Sequence, residues 1–186
     1  MNQIGKRITY VQKEDELSIV ISSYSDKNKN VFLLLWFIAW SCGGLAMLIY
    51  LFQVPTGQLK TMILVWIGFW LYFEFKVWKA YTWRKFGKEI LKIGKKQLFY
   101  KRDNRGGGRI LEYAVEFIEN PGTYEKNQGD IINHLLSSYW VISGETLSFT
   151  YYGKEILFGM QLTEKEAREL LKLIKNRLDT LQREVG

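Results

Sequence analysis

The 186-residue sequence predicts an α+β membrane protein: a two-helix transmembrane hairpin inserted into an antiparallel β-barrel or sandwich, capped by a C-terminal α-helix. Three observations predict it. Two long, almost uncharged apolar runs lie close together in the first half of the chain. Short runs with period-two alternation stand on both sides of them. The chain closes on a segment whose apolar residues recur at three- and four-residue steps.

Residues 1–25 are expected to supply the first strand pair. "ITYVQKEDELSIVIS" holds two β-like runs, Ile8–Gln12 and Leu17–Ser22, with Lys13–Glu16 as the turn. These first thirty residues lack an apolar core segment and contain acids, so no secretory signal peptide is expected.

Residues 30–53 form the first expected span. The twenty-two residues "VFLLLWFIAWSCGGLAMLIYLF" (31–52) carry no charge. As a helix they measure about 33 Å, which matches a hydrocarbon core of about 30 Å. A short external loop follows at 54–59, where Pro55 and Gly57 mark a turn. The second span is expected at 60–80. It is uncharged from Thr61 to Phe73, then interrupted by Glu74. Charges in spans are costly and often functional, yet Glu74 lies near one end, within reach of Lys76, Lys79 or headgroup water. Gly43, Gly44 and Gly68 are the small residues that allow close helix packing. Lone Cys42 reads as a small buried apolar residue.

Lysine and arginine flank the spans on one side. Lys27 and Lys29 precede the first, and a basic run follows the second, whereas the connecting loop holds only Lys60. The positive-inside rule therefore predicts an inner-membrane protein with both termini and the folded domain in the cytoplasm. Lys76, Trp78, Lys79, Tyr81, Trp83, Arg84 and Lys85 are the expected interface anchors.

Residues 86–186 are expected to complete the β-domain. "KEILKIG" and "QLFYKR" flank a Lys95–Lys96 turn. "RILEYAVEFI" alternates, with Leu111, Tyr113, Val115 and Phe117 on one face. "ETLSFTYY" and "KEILFG" flank a turn at Gly153, which brings the strand candidates to seven. Asn120–Gly144 fits no period; "NPGTYEKNQGD" reads as an exposed loop and "IINHLLSSYWVIS" as a strand or flap. A helix over 163–184 opens on Thr163 and Glu166, a capping-box pair. Its stripe of Ala167, Leu170, Leu171, Ile174, Leu178 and Leu181 needs the open end of a curved sheet to cover it.

Seven strands and a closing helix are the order of a pleckstrin-homology-like (PH-like) barrel, here with the hairpin between strands two and three. The sequence also resembles uncharacterised bacterial membrane proteins with a two-span transmembrane hairpin and a PH-like domain. The resemblance lies in "LLLWFIAWSCGG", "LVWIGFWLYFEFKVW", "FGKEILKIGKKQLFYKR", "LEYAVEFIEN" and the C-terminal block "LSFTYYGKEILFGMQLTEKEARELLKLI". It implies a fold and a membrane location, and it carries over no catalytic residue.

Charge narrows the function. The chain holds 26 Lys+Arg against 19 Asp+Glu. Residues 76–105 alone hold eleven basic and two acidic residues, a local +9, while 106–186 hold nine and twelve, a local −3. Beside an anionic leaflet each basic residue contributes roughly 1 kcal/mol of attraction. The expected lipid or anion contacts are Lys92, Lys95 and Lys96, then Lys101, Arg102 and Arg105. The plainer alternative is a topology signal, in which the run only holds the span in register. "RDNRGGGR" (102–109) lacks the Gly-Lys-Ser/Thr ending of a phosphate loop and reads as a flexible hairpin turn. One histidine, His134, and one cysteine exclude a His/Cys metal cluster. No nucleophile–base pair is evident, so no cofactor and no enzymatic activity are expected; a Glu74-based proton or ion step is the one chemical alternative. Nucleic acid is not an expected partner, because the bilayer explains the basic run. The function expected is a non-enzymatic, membrane-anchored binding or adaptor module that contacts anionic lipid headgroups or a protein partner. The alternative is a scaffold or assembly factor that acts through helix packing and sheet-edge contacts, with another membrane protein or as a homo-oligomer.

Overall fold

Strand pairing resumes across the helical insertion as though the helices were absent. The computed structural model describes residues 1–23, 27–124 and 144–185. Strands β1 (Asn2–Ile4), β2 (Ile8–Gln12) and β3 (Leu17–Ser22) precede helices α1 (Lys27–Gln53) and α2 (Gln58–Phe86). β4 (Gly87–Ile93) then pairs antiparallel with β3, from Leu17 opposite Ile93 to Ser22 opposite Lys88. β5 (Gln97–Asn104) and β6 (Ile110–Ala114) complete a six-stranded sheet in chain order. β7 (Ile118–Thr123), β8 (Glu145–Tyr151) and β9 (Lys154–Met160) form a second, three-stranded sheet. α3 (Glu164–Val185) ends the chain.

The β-domain is thus two antiparallel sheets; the described strands do not close into a barrel. The reason lies in "RILEYAVEFI", expected as one strand. A 3₁₀ turn at Val115–Phe117 breaks it, so β6 stays in the first sheet and β7 begins the second. Strands switch sheets at such corners. Tyr113 and Val115 are buried as expected, while Leu111 and Phe117 are exposed. The carbonyls freed at the corner are capped by α3: Gln182 Nε2 donates to Val115 O at 3.1 Å and to Ile118 O at 3.0 Å. Asn120–Thr123, expected in a loop, belong to β7, where Asn120 takes φ 48° and the register shifts between Glu119 and Gly122. "IINHLLSSYWVIS" and His134 lie outside the described residues. With β1 and the split run added, nine strands are described where seven were expected.

The core lies between the sheets and under α3. Period-two positions Ile19, Ile21, Leu91, Ile93, Leu98 and Tyr100 meet Leu147, Phe149 and Phe158, and α3 covers them with Leu170, Ile174, Leu178 and Leu181. The capping box forms: Thr163 N donates to Glu166 Oε2 at 3.0 Å and Glu166 N to Thr163 Oγ1 at 3.3 Å.

The helices form a second compact unit. Their apolar windows have mean hydropathy 2.1 and 1.3, and both helices are long and apolar enough to cross a membrane. α2 continues beyond residue 80 to Phe86, so Tyr81–Lys85 are helical. Trp70, Ile67, Ile63 and Val54 pack with Trp40, Met47, Leu48 and Leu51.

Candidate functional site

The six-stranded sheet has two ends of different electrical character. Its root is where β4 leaves α2, at Gly87. By register the root also holds Ser22, the Asn104 end of β5 and the start of β6. The far end holds the β2–β3 and β4–β5 turns. Lys92, Lys95 and Lys96 lie at the far end. There the acidic β2–β3 turn answers two of them: Lys95 Nζ is 2.6 Å from Asp15 Oδ1 and Lys92 Nζ 3.7 Å from Glu16 Oε1. The Lys95 ammonium holds the Asp15 carboxyl below its usual range. A cleft of about 1160 Å³ beside this end mixes Lys95, Lys96 and Lys175 with Glu116, Glu119 and Asp179. Three basic and three acidic side chains thus line it.

At the root, Lys101 Nζ pairs with Asp103 Oδ1 at 2.7 Å. That bond, assisted by the Gly106 N–H and Lys88, holds the Asp103 carboxyl below its usual range. Arg105 stands at the tip of the β5–β6 turn, with its guanidinium carbon 4.2 Å from the centre of the Phe86 ring. The stretch forms a tight hairpin turn. Asn104 N donates to Gly107 O at 2.9 Å and Gly107 N to Asn104 O at 3.2 Å. Arg105 and Gly106 both take positive φ, 55° and 83°, the signature of a type I′ turn.

Arg102 points the other way, into a buried network that sequence reasoning missed. Glu89 is 2% exposed. Its Oε1 accepts the Tyr100 hydroxyl at 2.7 Å and lies 3.2 Å from Arg102 Nε. Its Oε2 accepts the Gly159 and Met160 N–H groups at 2.8 and 2.9 Å. Gly159 has φ 73°, which turns two successive N–H groups onto one oxygen, an anion-binding nest filled by the protein's own carboxylate. Arg102 Nη2 reaches Glu145 Oε1 at 2.9 Å and Leu157 O at 3.3 Å. Burial pushes the Tyr100 phenol well above its usual range, and Glu89 adds to the shift. Burial disfavours the Arg102 charge, but Tyr100, Glu89 and Glu145 outweigh it and strengthen the cation.

This network joins β4 and β5 of one sheet to β8 and β9 of the other. Nearby, Arg7 donates to Ser22 O at 3.0 and 2.8 Å, to Met160 O at 3.0 Å and to Gln161 O at 2.6 Å. Side chains therefore close the seam that a barrel would close with a backbone ladder. The signal was in the alternation: Glu89 shares a face with Leu91 and Ile93, and Arg102 with Leu98 and Tyr100.

In the hairpin, Gly44 is the packing glycine: a Cβ there would stand 1.8 Å from Trp70 Cε2. Gly43 and Gly68 face outward with nothing within 4 Å, and Cys42 is exposed. Ser41 Oγ lies 2.8 Å from Phe37 O and 2.5 Å from Glu74 Oε1, while Glu74 Oε2 is buried with no partner among the described residues. Trp70 Nε1 donates to Trp40 O at 3.2 Å. Of the anchors, Trp78, Lys76, Lys79 and Lys85 are exposed and Trp83 is buried. Lys76 sits over the Tyr72 ring at 5.4 Å and Lys85 over Tyr81 at 5.9 Å.

The class that these features define is an α+β chain with two antiparallel sheets and a pair of helices apolar enough to cross a membrane. No family model, curated protein or solved structure matches it, so the resemblance to two-span PH-like proteins finds no counterpart there.

Proposed function

We propose that this protein is a non-enzymatic binding module, held at the inner face of the cytoplasmic membrane by α1 and α2, with a PH-like β-domain as its working part. One observation carries the reading. The apolar hairpin is inserted between two strands that pair directly, with Ser22 opposite Lys88. Such an insertion returns the chain to the side it left, and the domain is tethered through two adjacent strand ends. The partner of that domain is the anionic bilayer or a membrane protein.

The reading is tested in native membranes. The chain should stay with the membrane through alkaline carbonate washing, and reporter enzymes at both termini should be active only in the cytoplasm. Recovery as a detergent-free soluble monomer, or an active reporter outside, overturns it.

A second reading, a scaffold or assembly factor, is favoured by the open space at Gly43 and Gly68, two outward glycines on apolar helices. Crosslinking at those positions distinguishes a membrane-protein partner from a second copy. Absence of any crosslink removes this reading.

A further inference from the structure

We propose that the β5–β6 hairpin end, Asn104–Leu111, docks the domain on anionic phospholipid headgroups, with Arg105 and Arg109 on the phosphates and Ile110 and Leu111 among the upper acyl chains. The proposal rests on the membrane anchoring proposed above.

Three features converge at this end of the sheet. The first is backbone geometry. The first central position of a type I′ turn normally takes Asn, Asp or Gly, because positive φ strains other side chains. Here it carries Arg105 at φ 55°, which sets a cation at the tip of the hairpin. Gly108 shapes the other limb: at φ 145° a Cβ there would lie 2.1 Å from Arg102 O. The second is charge. Arg105 and Arg109 have no carboxylate partner among the described residues, in contrast to Lys92 and Lys95 at the far end. The third is apolar exposure. Ile110 and Leu111 are successive strand residues and so point to opposite faces, yet they are 55% and 37% exposed. Cations beside exposed aliphatic side chains match an anionic lipid–water interface better than bulk water.

Connectivity puts the site within reach of lipid. Gly87 follows Phe86, the last residue of α2, and β4 pairs Gly87 with Asn104. Arg105 lies over the Phe86 ring itself. The far-end lysines lie a strand length away, roughly 20 Å at about 3.3 Å per residue.

The test uses the full chain in nanodiscs, in a Cys42→Ser background, with a polarity-sensitive fluorophore on Gly107→Cys. Gly107 accepts a side chain: its added Cβ meets nothing closer than Asn104 O at 3.5 Å. In phosphatidylglycerol discs the probe should shift to the blue and lose several-fold of its acrylamide quenching relative to phosphatidylcholine discs. Removing an arginine should lower the docked fraction about fivefold, and 0.5 M salt should act in the same direction. Ile110→Ser with Leu111→Ser should weaken docking at low and high salt alike. Equal quenching in the two lipids, or docking unchanged by Arg105→Ala with Arg109→Ala, overturns the proposal. Should that double variant fail to fold by circular dichroism, Arg109→Gln, outside the turn's hydrogen bonds, decides. Membrane retention after alkaline washing reads the hairpin separately: retained protein with a water-exposed probe sinks docking alone, whereas lost retention sinks the anchoring itself.

Discussion

Two glutamates sit in the two units of this protein, and they are treated oppositely. Glu89, in the β-domain, is 2% exposed and receives three donors, a phenol and two backbone amides, with the Arg102 guanidinium as an ion-pair partner. Glu74, in the hairpin, shares the single hydroxyl hydrogen of Ser41 with the Phe37 carbonyl, and its second oxygen has no partner among the described residues. The domain can bury a carboxylate because two sheets converge on it from different parts of the chain. Two apolar helices have few donors to give, since their backbone N–H groups are spent on their own hydrogen bonds. The Glu89 site is therefore structural and tightly specified, and the Glu74 site is loosely held.

The widest break in this comparison is expected from Glu89→Ala. It leaves the Tyr100 hydroxyl and two backbone N–H groups without their acceptor and Arg102 with one carboxylate fewer in a buried site, and should cost about 3–5 kcal/mol. Glu89→Gln keeps the shape and should cost less, about 1–3 kcal/mol. Chemical denaturation of the detergent-solubilised chain, followed by far-UV circular dichroism, checks both. Equal stability of the alanine variant would mean that the seam between the sheets does not depend on Glu89.

Next in size is Gly44→Ala, which forces Trp70 away from α1 and should cost about 1–3 kcal/mol. Gly43→Ala, facing open space, should change nothing beyond about 0.5 kcal/mol. Trp36, Trp40, Trp66, Trp70, Trp78 and Trp83 all lie in the hairpin, so tryptophan emission during thermal unfolding reads this pair. A larger loss at Gly43 than at Gly44 would reverse the assigned packing face.

Tyr100 sharpens the comparison through pH. Burial and Glu89 raise its phenol pKa in the folded chain. The unfolded phenol ionises near pH 10. Its contribution to stability is therefore full below that pH and is lost as pH rises towards the folded value. Tyr100→Phe should cost about 1 kcal/mol at neutral pH and should shallow the alkaline decline. Tyr113 and Tyr152, also raised by burial, leave part of that decline in place. An unaltered alkaline limb would mean that Tyr100 is not the buried phenol.

A small effect, above only that of Gly43→Ala, is expected at Glu74. Glu74→Ala removes one hydrogen bond between the two apolar helices, about 0.6 kcal/mol by the measure usual for such pairs. A cost as large as that of Glu89→Ala would show that the two carboxylates are held alike.

Much of this architecture was legible. Periodicity marked Leu17–Ser22, the two strands around Lys95–Lys96, the hairpin around Gly153 and the capped C-terminal helix. What misled was the even alternation of residues 109–118, which a flat strand and a strand turning a corner share. Short Asn2–Ile4 carries too few residues for a period to appear. The basic run was visible, but not its division into a far end where Asp15 and Glu16 pair with Lys95 and Lys92 and a root where Arg105 and Arg109 have no carboxylate partner among the described residues. One-dimensional counting adds charges along the chain, whereas attraction depends on distance in space.

Sequence alone determined the local choices: two apolar helices, β-runs of period two, the Thr163–Glu166 cap. Each depends on residues within a few positions of one another. Only the tertiary structure decided that β3 pairs with β4 across the insertion, that Glu89 fills a nest made by Gly159 and Met160, and that side chains rather than a backbone ladder close the sheets. These depend on groups 43 to 154 positions apart in the chain, which meet only because burying two sheets and a helix against one another outweighs the entropy of bringing them together.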